Sequence, residues 1–315
     1  MDKQQRYGEG EFAQRLSETL AIEEPPQLIR HYTNLIYDCG HFVIRLTPNS
    51  FRPRDGVIRE LHWLLDVGSQ SESIVQLFGD EPTNPRQFEF EAEHFTVTLF
   101  EKIDGEPINE AQWNSDHFQR LGRLTGWLHR TGMGYVAPSG WELLAWDDAP
   151  EESSADYLPD DHRQLARLNR KVAEHVGNLT NSPSSYGPIH FDIHQGNYLL
   201  TSDNRLVLFD FENSCLGHHI NDIAMVLFYA KTSKLTDASE DFEEQFMKAF
   251  WSGYELEYPV PEEEIEQIQW FMLNRAILLC GYLRKIWPGE LTEEQTQYVE
   301  RVDNAVEGMR QRLSL

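Results

Sequence analysis

The chain has 315 residues, enough for one large or two ordinary domains with a substantial core. Its 52 acidic against 27 basic side chains give a formal net charge of −25, which argues against nucleic acid or an anionic membrane as the main partner, because both require basic patches. Two readings of the acidity stand: attraction of a cationic substrate, or a surface that is simply well solvated.

Three cysteines, Cys39, Cys215 and Cys280, lie far apart in sequence. An odd, scattered set fits a reducing cytoplasm better than a disulfide framework. The opening Met-Asp-Lys-Gln-Gln-Arg has no apolar core, so no signal peptide is expected, and no segment is apolar for long enough to span a bilayer.

Residues up to about Pro26 are polar and read as a helical leader. Asn34–Tyr37 and Phe42–Thr47 are apolar runs joined by Asp38-Cys39-Gly40-His41, the pattern of a hairpin. From Asp55 to Val67 the apolar side chains Val57, Ile58, Leu61, Leu64 and Leu65 recur at helical spacing, with Gly68 as a stop. Ser73–Phe78 reads as a further strand, and alternation through Phe88, Phe90, Phe95, Val97 and Leu99 predicts another hairpin. Asp104-Gly105-Glu106-Pro107 breaks the pattern. The expected division is therefore a small β-rich domain over residues 1–102 and a large helical one over 103–315.

Asn109 to Thr131 has the spacing of a long amphipathic helix. The acidic stretch between Trp146 and Asp161, rich in Pro and Ser, reads as a loop, either a lid or a linker. Helical spacing returns through Leu165, Leu168 and Val172, and again over Ile220–Ala230, Phe242–Tyr254, Glu262–Trp287 and Glu293–Leu313.

The most informative stretch is His190-Phe-Asp-Ile-His-Gln-Gly-Asn197 followed by Leu-Val-Leu-Phe-Asp210-Phe-Glu212. Two apolar runs, Tyr198–Leu200 and Leu206–Phe209, flank the turn Ser202-Asp203-Asn204 and predict a short hairpin. It carries Asp192 and Asn197 before its first strand and Asp210 after its second. An Asp, an Asn five residues later, and a strand-end Asp form the order in which protein kinases place a base and two metal ligands. Oxygen donors of this kind suit Mg²⁺, which takes one or two protein carboxylates and lets phosphate oxygens complete the octahedron.

His190-x-Asp192-x-His194-x-Gly196-Asn197, Asp210-Phe211-Glu212, Asp222-Ile223-Ala224 and Leu121-Gly122-x-x-x-Gly126-x-Leu128-His129 together resemble the aminoglycoside phosphotransferase and choline kinase family. Its homoserine-kinase-type branch is suggested by the run from Asp222 to Ala230. The resemblance implies an α+β, protein-kinase-like two-lobe fold and ATP-dependent transfer of a γ-phosphate to a hydroxyl, with ATP and Mg²⁺ as cofactors. It implies Asp192 as the base, His190 as a buttress of its loop, and His194 either touching phosphate or filling the turn. Asn197 and Asp210 are the implied Mg²⁺ ligands, and Glu212 reaches either a second metal or the substrate. On the nucleotide side it implies Arg45, where Lys is more usual, as the grip on the α/β-phosphates, oriented by Glu60. Gly40 lies in the turn expected to cover the phosphates, and Glu101 and Ile103 supply backbone groups to the adenine. Trp251, Tyr254, Trp270 and Asn274 fall on the later helices, from which the family builds its substrate pocket, although aromatics at helical spacing are more often core.

The expected partner is a small-molecule hydroxyl acceptor, with amino alcohols, homoserine-like amino acids and aminoglycosides all presenting a cation beside a hydroxyl. Other readings are a nucleotide-binding pseudokinase acting as an interaction module, a protein Ser/Thr kinase, for which no Ala-Pro-Glu segment is evident, and a metallohydrolase built on the histidines. The last leaves Asn197 unexplained.

Overall fold

The computed structural model describes residues 6–8, 10–23, 26–148, 163–236, 241–287 and 289–315. The acidic stretch read as a lid or linker lies mostly outside the described residues. The chain divides into two compact units. One comprises the described residues up to Glu106 together with Val136–Leu143 and Leu200–Glu212; the other comprises Pro107–Tyr135, Leu144–Leu199 and Asn213–Leu315. Thus Asp210 and Glu212, which the sequence placed in the second domain, belong to the first unit.

The first unit is built on strands whose side chains alternate between two faces. Strands β1 (Gln27–His31), β2 (Leu35–Asp38), β3 (Phe42–Pro48), β4 (Arg86–Phe90) and β5 (Glu93–Glu101) form a five-stranded sheet in the order β1-β2-β3-β5-β4. All its neighbours are antiparallel. Leu35, Tyr37, Phe42, Ile44, Leu46, Val97 and Leu99 turn to one face, where helix α1 (Glu11–Leu20) lays Phe12 and Leu16. The Phe12 ring meets the rings of Phe88, Phe90 and Phe95 edge-on at 4.8–5.9 Å. The alternate positions Ile36, Val43, Arg45, Thr98 and Phe100 belong to the opposite face. Strand β1 was not anticipated, and Ser73–Phe78 is no strand but makes only isolated bridges at Ile74 and Leu77.

Helix α2 (Arg54–Gly68) follows the sheet's third strand and buries Val57, Ile58, Leu61 and Leu64 as the spacing predicted, while Leu65, the fifth of that set, is exposed. Strands β6 (Gly105–Glu106), β8 (Tyr198–Thr201) and β9 (Leu206–Leu208) form a three-stranded sheet in the order β6-β8-β9. The predicted hairpin turn is present, with Asn204 in the left-handed region at φ 63°.

The second unit is mainly helical. Helix α3 (Ser115–Gly132) begins later than the spacing suggested because the Asn114 side chain accepts the N–H groups of Asp116 and His117, capping it there. Helices α4 (Arg163–Gly177), α5 (His219–Thr232), α6 (Phe242–Tyr254), α7 (Ile268–Ile286) and α8 (Glu293–Arg312) follow, with strands β7 (Tyr186–Ile189) and β10 (Cys215–His218) paired antiparallel. α5 is buried on all sides, which explains why it is apolar without a polar stripe.

Helices α3 and α6 meet backbone to backbone. A Cβ at Gly122 would lie 2.0 Å from the Phe250 carbonyl oxygen, and one at Gly253 would lie 1.9 Å from that of Gln119. At Gly126 the Tyr254 oxygen would be 2.6 Å away.

Candidate active site

In the first unit the site grows from Arg45, in the middle of β3. Its Nη1 and Nη2 donate to Glu60 Oε1 and Oε2 at 2.8 and 2.9 Å, the bidentate pair expected from the resemblance. The structure adds a third member the sequence did not single out: Arg52 Nη1 donates to Glu60 Oε2 at 2.6 Å. Glu60 is fully buried. Burial would raise its pKa, but Arg45 and then Arg52 override it and hold the carboxyl below its usual range.

Among the described residues, Arg45 Nε, Thr47 Oγ1 and Thr98 Oγ1 on this sheet face, and Asn34 Oδ1 in the turn before β2, are buried without a hydrogen-bond partner. Leaving such groups unsatisfied is costly, so a face that collects several of them beside a guanidinium fits a polar, anionic ligand such as nucleotide phosphate.

Asp210 and Glu212 follow β9 on this unit. Asp210 takes a left-handed backbone, φ 66°, and Phe211 is buried, so the turn is held from its middle residue. Glu212 Oε2 accepts from Asn34 Nδ2 at 2.6 Å. Burial, and then the neighbouring Asp210, push the Glu212 carboxyl up to about 7. Two carboxylates that resist joint ionisation are a donor set short of positive charge, and hard oxygen donors fit a divalent cation such as Mg²⁺.

Gly40 sits in the β2–β3 turn at φ +83°, its N–H donating to Asp38 Oδ1. That turn closes the strand end at which Phe42 pairs with Glu101. The turn that reaches the acidic pair is instead β1–β2, through Asn34. Glu101 is exposed and its N–H donates to Gln76 O at 2.9 Å, so that donor is already engaged within the unit. Ile103 is half-buried just beyond it.

In the second unit the loop from His190 to Asn197 is clamped by Asp222 of α5. The N–H groups of His190 and Phe191 donate to Asp222 Oδ2 and Oδ1 at 2.9 and 2.7 Å. The clamp holds Phe191 buried at φ 71°. Behind it, His129 Nε2 lies 3.2 Å from Asp222 Oδ2, and His129 Nδ1 lies 2.7 Å from the hydroxyl of Tyr254. Tyr254 is therefore core, not pocket lining, and Trp270 stacks on His175 with ring centres 3.8 Å apart.

Within the loop, the Asn197 amide donates to the Asp192 carbonyl at 2.9 Å. His190 is fully buried, and its Nδ1 accepts the Asp192 N–H at 3.3 Å. His194 Nδ1 accepts the Gly196 N–H at 2.9 Å, and its ring leans on Tyr229. Both histidines thus shape the turn around Asp192. A second residue not anticipated from sequence appears here: Arg275 of α7 pairs with Asp192. Burial would raise the Asp192 pKa, but Arg275 and then His194 hold it well below the carboxylate range. An Arg within the apolar run Met272–Cys280 was the signal that would have found it.

Among the described residues, no three His, Cys, Asp or Glu side chains gather into a group able to hold a metal ion, and none of the helices is long and apolar enough to cross a membrane. The three cysteines are free thiols.

The chain is similar to several known kinases. Amicoumacin kinase of Bacillus subtilis (strain 168) is 25% identical over 266 residues, covering 81% of this chain and 78% of that protein. The solved structure of amicoumacin kinase hAmiN in complex with AMP-PNP, Ca²⁺ and Ami superposes with a TM-score of 0.86 at 21% identity, covering 98% of this chain and 96% of that one. A microcompartment-associated aminopropanol kinase gives a TM-score of 0.75 at 18% identity over 95% of this chain and 97% of that one. The fold is thus the kinase-like α+β fold of these neighbours. The family model described as "Phosphotransferase enzyme family" matches residues 30–265. With three quarters of its length accounted for by that match, the chain belongs to the phosphotransferase enzyme family, and it is a kinase acting on the hydroxyl of a small molecule.

Proposed function

We propose that this protein is an ATP- and Mg²⁺-dependent kinase that phosphorylates the hydroxyl of a small, amine-bearing molecule in the cytoplasm. The observation that carries the reading is the buried Arg45–Glu60 pair on a sheet face shared with unpartnered polar atoms. Family membership supports it, and the amine is supported by the net charge of −25 and by the amicoumacin and aminopropanol of the relatives' names.

Phosphoryl transfer asks the protein for positioning and charge neutralisation more than for covalent chemistry. On the first unit, Arg45 grips phosphate oxygens with the edge of its guanidinium not held by Glu60, and Asn34 steadies Glu212. Asp210 is assigned to the metal, with Glu212 as a further carboxylate ligand. On the second unit, Asn197 is assigned to the metal through its amide oxygen, and Asp192 orients the acceptor hydroxyl and receives its proton. His190 and Asp222 hold the loop so that Asp192 keeps its place. When bound, Mg²⁺ neutralises charge on the phosphate oxygens. The lowered pKa of Asp192 suits a loose transition state, in which little proton removal is needed early.

The test is a panel of amicoumacin, 1-amino-2-propanol, choline, homoserine and kanamycin, each incubated with the purified protein, ATP and Mg²⁺ and read by mass shift. One member gains a phosphoryl group, and Asp192→Ala abolishes the product. Failure of the whole panel, or equal turnover by Asp192→Ala, would end this reading.

A further inference from the structure

Arg275 reaches the loop from helix α7. Its Nη2 donates to Asp192 Oδ1 at 2.5 Å and to the Tyr229 hydroxyl oxygen at 2.6 Å, while its Nε donates to the same oxygen at 3.0 Å. The guanidinium carbon lies 5.3 Å from the centre of the Tyr229 ring. The side chains of Arg275 and Asp192 are only 14% and 16% exposed, so this is not one of the solvated ion pairs that contribute little.

The two oxygens of Asp192 are treated differently. Oδ1 is tethered to Arg275. Among the described residues, the contacts of Oδ2 are long ones, to Asn197 Nδ2 at 3.4 Å and His194 Nε2 at 3.6 Å. An aspartate turns freely about its terminal torsion unless one oxygen is pinned, and a base is useful only when its accepting oxygen stays within reach of the proton it takes. A planar guanidinium, itself fixed by two hydrogen bonds to a tyrosine, provides such a pin.

Tyr229 stands on α5, two turns after Asp222. One buried helix thereby fixes the loop twice, its main chain through Asp222 and its carboxylate through Tyr229 and Arg275.

We propose that Arg275, oriented by Tyr229, is a positioning residue that pins Asp192 Oδ1 and presents Oδ2 to the acceptor hydroxyl. The proposal rests on the reading of Asp192 as the group that receives the acceptor's proton.

The experiment compares Arg275→Met, Arg275→Lys, Tyr229→Phe and Asp192→Ala in steady state, with ATP and the panel acceptor that the parent protein phosphorylates fastest. Crystal structures of the parent and of Arg275→Met accompany the kinetics. Misplacing a reacting group costs on the order of a hundredfold, so Arg275→Met lowers kcat by about that factor while KM for ATP stays within twofold. Arg275→Lys, which keeps the charge without the fork, recovers about tenfold of that loss. Tyr229→Phe retains both charges and falls between parent and Arg275→Met. In the Arg275→Met crystals the Asp192 carboxylate leaves its parental orientation.

Arg275→Met turning over within threefold of the parent, or Asp192 unmoved in its structure, overturns the proposal. Equal loss in Arg275→Lys and Arg275→Met, or a rise in KM for ATP that accounts for the loss, does so as well. Asp192→Ala separates this from the broader reading: full activity there sinks the assigned base, whereas its inactivity beside an active Arg275→Met sinks only the role of Arg275.

Discussion

Replacing Glu60 by glutamine keeps the shape of a fully buried side chain and removes only its charge, leaving two guanidiniums without their shared counter-ion. At a charge separation of about 4 Å and an effective dielectric constant near 20, each pair is worth roughly 4 kcal/mol before desolvation is counted. Removing one partner of a buried ion pair costs about 3–5 kcal/mol net, because the remaining charge stays buried and uncompensated. The glutamine amide also faces donors with a donor. Glu60→Gln should therefore lose about 4 kcal/mol, a drop in Tm of roughly 8 °C for a chain of this size, read by scanning calorimetry. Arg52→Met is the control: it removes the hydrogen bonds to Glu60 Oε2 and to the Gly56 carbonyl and leaves Arg45 and Glu60 matched, for a loss of about 2–3 kcal/mol. In kinetics, Glu60→Gln should raise KM for ATP and leave KM for the acceptor unchanged. A Tm within 2 °C of the parent's (about 1 kcal/mol), or Arg52→Met as damaging as Glu60→Gln, would refute the argument that one carboxylate restrains two buried cations.

Asp210→Asn should weaken Mg²⁺–nucleotide binding by at least about tenfold in calorimetric titration, since a charge-assisted ligand is lost. Gly122→Ala should destabilise by more than the roughly 1–3 kcal/mol of ordinary overpacking, measured by urea unfolding, because its new methyl meets a carbonyl rather than a movable side chain. Burial, and then Arg120, hold the His117 pKa down to about 4, below the ordinary value of about 6.5. Between these values the unfolded chain takes up a proton that the native one refuses. Stability should thus be intact above pH 6.5 and fall by up to about 3 kcal/mol as the pH drops toward 4, a slope that His117→Gln should flatten.

The fold's outline was legible where one period ruled. The apolar run of β3 and the Phe95, Val97, Leu99 alternation of β5 were plain, α6 begins and ends where its spacing said, and the hairpin after Asn197 announced itself by its turn residues. Strand β1 was missed because its five residues have only one fully buried side chain, so alternation had too little length to register. Pro25-Pro26 before it also suggested a break rather than an element. In the site, Arg45 and Glu60 were named through the resemblance to the family, which implies a basic strand residue paired with a Glu on the following helix. Arg52, in a Pro-flanked turn, has no period to reveal it. Arg275 joins Asp192 across 83 residues, a pairing that only the packing of α7 can dictate. Gly40 drew attention as the glycine of a predicted hairpin, whereas the contact to Glu212 comes from Asn34, in a turn whose first strand had not been seen.

The seam between α3 and α6 has no filler. At Gly122 and Gly253 only peptide groups stand where other helix pairs place side chains, and at Gly126 a carbonyl is the nearest neighbour, so no rotamer change or volume-conserving swap can absorb an error there. Its width is a fixed dimension of the protein. In a saturation library, these positions would therefore register as intolerant while touching none of the chemistry, and a dead variant at one of them would speak about architecture, not about the reaction.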